Sequence, residues 1–147
     1  MPEVIGIEHI YVTVSNLGAS ENFYDRLMMQ ALGFRRKTFT LAGDPHIHYF
    51  NRQFGLVLRP ARVASKHDPY APGLHHLCLR VDSAEDVRVA AEHLTRLGIN
   101  ATAARLYPEY ASDYAATFCE DPDGIRLEIA NFRQERRDRH DHWDETH

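Results

Sequence analysis

From Ile5 to Val14 apolar and polar residues alternate, so that Ile10, Val12 and Val14 share one side of an extended strand and His9, Tyr11 and Thr13 the other. The period then changes. Asn16 is placed to cap a helix over residues 17 to about 32, where Phe23, Leu27 and Ala31 form one apolar ridge beside Tyr24, Met28 and Leu32, and Gly33 ends it. Three strand-like runs follow at 36–41, 46–51 and 55–59, broken by Gly43-Asp44-Pro45 and Arg52-Gln53-Phe54.

The same order restarts at Leu74. Leu77, Leu79 and Val81 take one face of a strand, and His76, Cys78 and Arg80 the other. Asp82 or Ser83 caps a helix carrying Val87, Ala91, Leu94 and Leu97, which Gly98 ends. Strands are expected at 100–105, 114–120 and 125–131, with Asp121-Pro122-Asp123-Gly124 as the hairpin turn. Residues 7–14 overlay residues 74–81, and Leu32-Gly33-Phe34 overlays Leu97-Gly98-Ile99. The reading is an α+β fold of two βαβββ modules forming a cupped mixed sheet with helices outside. The expected boundaries are 1–59 for the first module, 60–73 for a proline-containing linker, 74–131 for the second, and 132–147 for a charged tail. Neither module buries its sheet alone, so each needs the other or a second chain.

Composition narrows the function. Seventeen Lys and Arg against 21 Asp and Glu give a net charge of −4, which offers no electrostatic footprint for nucleic acid. No apolar run approaches the roughly 18 residues of a membrane span, and the N-terminus reads as strand rather than signal peptide. Two cysteines make no disulfide framework, and a cytoplasmic location is expected.

The repeat puts His9 and His76 at equivalent positions, facing away from the aliphatic side of their strands. In Ile125-Arg126-Leu127-Glu128-Ile129, alternation turns Glu128 the same way, and a carboxylate between apolar neighbours on a central strand is costly unless charged groups or a metal meet it. Two imidazoles and one carboxylate on three strands form a facial triad with open positions for substrate or water. His48 is a candidate acid or base, and Tyr110 or Tyr114, from the loop 105–114, a candidate donor to a substrate oxyanion. Arg59 and Arg126 share the cup-facing parity and are candidates for holding an anionic substrate. His75 is expected to be structural, on the opposite face from His76, and His140, His142 and His147 to belong to a solvated tail.

The chain resembles the vicinal oxygen chelate superfamily, which includes glyoxalase I, extradiol dioxygenases, fosfomycin-resistance transferases and bleomycin-resistance proteins. The likeness is carried by Glu8-His9-Ile10-Tyr11-Val12, Asn22-Phe23-Tyr24, Leu32-Gly33-Phe34, His76-Leu77-Cys78-Leu79, and Glu120-Asp121-Pro122-Asp123-Gly124 leading into Leu127-Glu128-Ile129. It implies one divalent metal ion (Fe, Mn, Zn, Ni or Co) held by His9, His76 and Glu128, a small-molecule substrate and a homodimer. The fourth glutamate ligand of glyoxalase I falls on Val57, and the acid-base histidine and tyrosine of extradiol enzymes fall on Phe54 and Phe118. The expected function is therefore a metalloenzyme on a small oxygenated metabolite, dioxygenase-like or lyase/transferase-like. The alternatives are a non-catalytic binding or resistance protein, and a glyoxalase I-like lyase with an altered fourth ligand.

Overall fold

The computed structural model describes residues 1–145, so Thr146 and His147, part of the expected tail, lie outside the described residues. The described chain divides into two compact units, one comprising residues 1–68 with the turn 121–124, the other residues 69–120 and the described residues from 125 onward.

In the first unit, β1 (His9–Val14), β2 (Arg35–Leu41), β3 (Asp44–Phe50) and β4 (Gly55–Pro60) form a mixed sheet in the order β1-β4-β3-β2. The β1–β4 pair is parallel and the others antiparallel. The strand starts at His9 rather than Ile5 because its partner starts at Gly55, whose N–H donates to the Glu8 carbonyl at 2.9 Å. Ile5 and Ile7 therefore stay exposed. Val12 and Val14 are buried, as the alternation requires. The turn between β2 and β3 places Ala42 and Gly43 at φ of 52° and 83°, the two positive values a right-twisted hairpin favours.

The side chain of Asn16 accepts from the Ala19 N–H and caps α1 (Leu17–Tyr24). The expected single helix then changes pitch, and residues 25–31 form a π-helical segment closed by the Phe34 N–H on the Met28 carbonyl at 2.8 Å. Phe23, Tyr24, Leu27 and Met28 are buried, so the apolar ridge survives the change. Within this unit Tyr24 donates to Asp121 at 2.9 Å, and Tyr49 donates to Asp25 at 2.7 Å, a carboxylate that also takes Arg36.

The second unit repeats the plan with β5 (His76–Val81), α2 (Ala84–Arg96), β6 (Arg105–Leu106), β7 (Ala115–Glu120) and β8 (Arg126–Asn131), in sheet order β5-β8-β7-β6. Ser83, not Asp82, caps α2. Val87, Ala91 and Leu94 are buried on this helix, as their spacing requires.

The strand expected at 100–105 shrinks to two residues. Thr102 takes over part of the ladder with its side chain, donating its N–H to the Phe118 carbonyl while its hydroxyl accepts from the Phe118 N–H. After β8, the polypeptide forms α3 (Gln134–Asp141) and a 3₁₀ turn (Trp143–Glu145). The tail is anchored: Phe132 lies between the guanidinium groups of Arg80 and Arg137, 3.9 and 4.3 Å from its ring centre, and Arg137 donates to Asp82. Among the described residues no helix is long and apolar enough to cross a membrane.

Candidate functional site

Pairing register fixes which side chains share the open face of each sheet. In the second unit Cys78 lies opposite Glu128 in the β5–β8 pair, and Phe118 opposite Glu128 in the β7–β8 pair. In the first unit Tyr11 lies opposite Val57, and His48 opposite Val57. By topology Val57 is therefore the repeat counterpart of Glu128, and His48 that of Phe118. The strand that delivers a carboxylate in one unit delivers a side chain without a donor atom in the other.

Glu128 is buried, at 4% exposure, on a central strand. Both of its oxygens are addressed. Oε2 accepts a short hydrogen bond from the Tyr114 hydroxyl, and Oε1 lies 3.4 Å from His76 Nε2. The loop leading to β7 makes the first contact possible. Tyr107 packs on Ala116 and Ala130, two small residues on the open face, and Tyr110 stacks on Tyr107 at 5.8 Å between ring centres. The Tyr110 ring meets Tyr114 edge-on, and the Arg133 guanidinium lies 5.2 Å from the Tyr114 ring. Of the two tyrosines singled out from sequence, Tyr114 touches the carboxylate, while Tyr110 is an exposed member of the aromatic stack. Burial and the bond to Glu128 push the Tyr114 phenol well above its ordinary range, so it stays protonated as the donor.

His75 departs from expectation. It precedes β5, so strand alternation does not set its direction, and its Nδ1 lies 2.8 Å from His76 Nδ1. One imidazole must donate to the other, so their tautomers are linked. When His76 Nδ1 donates, its Nε2 turns a lone pair toward Glu128. Tyr70 packs edge-on against His75, with ring centres 5.4 Å apart, and Arg126 lies 5.5 Å from the Tyr70 ring. Arg126 thus supports this row of side chains from the position opposite His76. Cys78 neighbours the carboxylate, and burial first, then the charge of Glu128, pushes its thiol up to about 12.

His9 lies on the open face of the first unit, half-exposed, 5.5 Å from Tyr11 between ring centres. It lines a concavity of about 320 Å³ with Tyr11, Lys37, Phe39, His48 and Val57. His48 packs so closely on Gly55 that a Cβ there would stand 2.2 Å from its Nε2. Burial first, then the charge of Lys37, holds the His48 imidazole below its ordinary range, so it is neutral near pH 7. Arg59 does not project freely as an anion holder: it donates to Asp44 at 2.6 Å and to the Pro60 carbonyl. His46 is buried and stacks on Phe39, with Nδ1 2.9 Å from the Asp44 carbonyl oxygen. Phe54 packs on Phe34, and Phe118 on Tyr107.

Of the expected triad, His76 and Glu128 meet within the second unit and His9 stands on the first. Among the described residues no group of three or more His, Cys, Asp and Glu side chains gathers closely enough to hold an ion. The His76–Glu128 pair nevertheless fits one. Its 3.4 Å gap exceeds a normal N–H···O bond, yet suits two donors sharing an ion with bonds of about 2.0–2.2 Å.

Residues 6–129 match the model of the Glyoxalase/Bleomycin resistance protein/Dioxygenase superfamily. An uncharacterized Bacillus subtilis protein, YqjT, is 30% identical over 127 residues, covering 84% of this chain and 96% of its own. The crystal structure of a glyoxylase/bleomycin resistance protein/dioxygenase domain from Frankia sp. EAN1pec aligns with a TM-score of 0.72 at 24% identity, covering 89% of this chain and all of that one. The fosfomycin resistance protein FosX from Listeria monocytogenes aligns with a TM-score of 0.64 at 15% identity, over 92% of this chain and 99% of its own. At such identities these two structures speak for the fold alone. The family match, spanning both repeats and every strand of the open faces, means that the chain belongs to the Glyoxalase/Bleomycin resistance protein/Dioxygenase superfamily.

Proposed function

We propose that the protein is a metal-dependent enzyme acting on a small oxygenated metabolite, with His76, Glu128 and His9 as the ligands of one divalent ion. The observation that carries this reading is the convergence of His76 Nε2 and Glu128 Oε1, with each ligand oriented from behind by His75 and Tyr114. Metal-binding histidines and carboxylates are held by such partners, which fix the tautomer and the direction of the lone pair. A bound divalent ion would supply Lewis-acid stabilisation to charge developing on substrate oxygens.

The chain's own residues divide the remaining work. Tyr114 keeps one Glu128 oxygen occupied, which leaves Oε1 as the ligand atom. His75 stands where it accepts from His76 Nδ1 in the tautomer that leaves Nε2 free as the ligand atom. Val57 removes a fourth ligand from the place where Glu128 would recur, which supports dioxygenase-like or lyase/transferase-like chemistry over that of a four-ligand glyoxalase I.

The test is turnover. Protein purified anaerobically and loaded in turn with Fe(II), Mn(II), Zn(II), Ni(II) and Co(II) is screened for oxygen uptake with catechols and enols, then for lyase, isomerase and transferase reactions. Metal-dependent turnover that disappears in Glu128→Ala is the expected result. Stoichiometric capture of a ligand without turnover in any metal form would overturn the enzymatic reading in favour of a sequestering protein.

A further inference from the structure

The two open faces have opposite chemistry. Where the second unit holds Glu128 and Phe118, the first holds Val57 and His48 at the same register positions, with Lys37 directly opposite His48 in the β2–β3 pair. Among the described residues Lys37 is the one formally charged residue lining the concavity, and no carboxylate of the described residues lines it. It makes no ion pair among the described residues, and its ammonium lies 5.7 Å from the Phe50 ring centre. Its neighbours differ: Arg36 is bonded to Asp25, and Arg59 to Asp44. The nearby carboxylate of Glu8 is exposed and lies 3.8 Å from His9 Nδ1.

The concavity is also shaped. Gly55 leaves the room that the His48 ring fills, and Phe39 and Tyr11 provide aromatic walls, with His46 stacked at 4.8 Å behind Phe39. The His48 imidazole carries an N–H and the Lys37 ammonium a full charge, so an incoming oxyanion meets donors of both kinds. We propose that this concavity binds the carboxylate or phosphate group of an anionic aromatic or apolar small molecule through Lys37 and His48. The proposal deepens the metalloenzyme reading and rests on it for the idea that this anion is the substrate's. The anion site itself is testable without metal.

Metal-free protein is titrated with benzoate, phenyl phosphate and the neutral benzamide, following the His48 and Lys37 side chains by NMR. Benzoate or phenyl phosphate is expected to shift both signals, and benzamide to bind more weakly. Whichever anion binds tighter identifies the group. Lys37→Met should weaken anion binding about three- to fivefold, the order for a charge contact open to solvent, with benzamide unchanged and Lys37→Arg largely restoring the anion. Failure of both anions to bind, equal binding of benzamide, or anion affinity unchanged in Lys37→Met would overturn the proposal. Metal affinity, measured separately on the same Lys37→Met protein, should not fall, because the substitution removes a like charge from the concavity that His9 lines. Loss of the anion site with metal binding intact, or the reverse, tells the two readings apart.

Discussion

Replacing Tyr114 with Phe removes one oxygen atom and leaves the aromatic stack of Tyr107, Tyr110 and Tyr114 otherwise in place. The loss falls on Glu128, whose Oε2 accepts from that hydroxyl and which, at 4% exposure, has little access to replacement water. A hydrogen bond to a charged partner contributes about 1.5–3 kcal/mol, and a buried acceptor left alone forfeits a similar amount. Metal-free Tyr114→Phe should therefore lose about 2 kcal/mol, or about 4–8 °C in Tm for a chain of this size.

The assay is urea denaturation of wild type, Tyr114→Phe, Glu128→Gln and the double variant. The single-variant losses should fail to add, with a coupling energy of at least about 1 kcal/mol. Additive losses would show that the phenol and the carboxylate do not work as a pair, and would refute the role given to Tyr114. The same variant should bind Zn(II) about tenfold more weakly, the lower end of the cost of losing a ligand's supporting partner.

Three further outcomes are expected. Gly55→Ala should cost about 1–3 kcal/mol by overpacking against His48, and the penalty should vanish in a His48→Ala background; a penalty that persists there would mean the conflict lies elsewhere. His75→Ala should broaden the tautomer population of His76 in ¹⁵N NMR spectra and weaken metal binding, while His75→Gln, which offers both donor and acceptor, retains more of each; unchanged His76 nitrogen shifts in His75→Ala would refute the link. Asp44, whose carboxylate Arg62 and Arg59 hold below its usual range, should stabilise the fold at any pH above about 3.8 and lose that contribution as pH falls through its lower folded value. Asp44→Asn should therefore flatten the acid limb of a thermal-stability profile, and an unchanged limb would contradict the pairing.

Much of this architecture is legible in the residues. Alternation at Val12 and Val14, the Asn16 and Ser83 caps and the ridge of Val87, Ala91 and Leu94 follow from local rules, and the structure follows them. Register carries more than periodicity does. Once Val57 is set opposite Tyr11 and Glu128 opposite Cys78, register fixes Val57 as the repeat counterpart of Glu128. What pattern does not carry is the chemistry of residues outside regular strands. His75 looks like a residue on the far face if β5 is extended backward, yet it precedes the strand and turns to His76. Thr102 replaces a ladder residue with its hydroxyl, so an expected strand becomes a loop. Lys37 is found only through its pairing with His48, because a lone lysine in a polar strand such as Arg35–Leu41 has no signal of its own. The partner of Arg59, a candidate for holding an anion, is hidden for a similar reason: Asp44, fifteen residues earlier, meets it in space.

The central claim is that His76 and Glu128, together with His9, hold one divalent ion. Elemental mass spectrometry on untagged protein purified anaerobically, beside His76→Ala, Glu128→Ala and His9→Ala, tests it most directly. The account predicts close to one transition-metal ion per chain in the wild type and its loss in each variant. A wild-type protein that retains no ion, even after reconstitution with Fe(II), Mn(II), Zn(II), Ni(II) or Co(II), or one that keeps a full complement in Glu128→Ala, would contradict it.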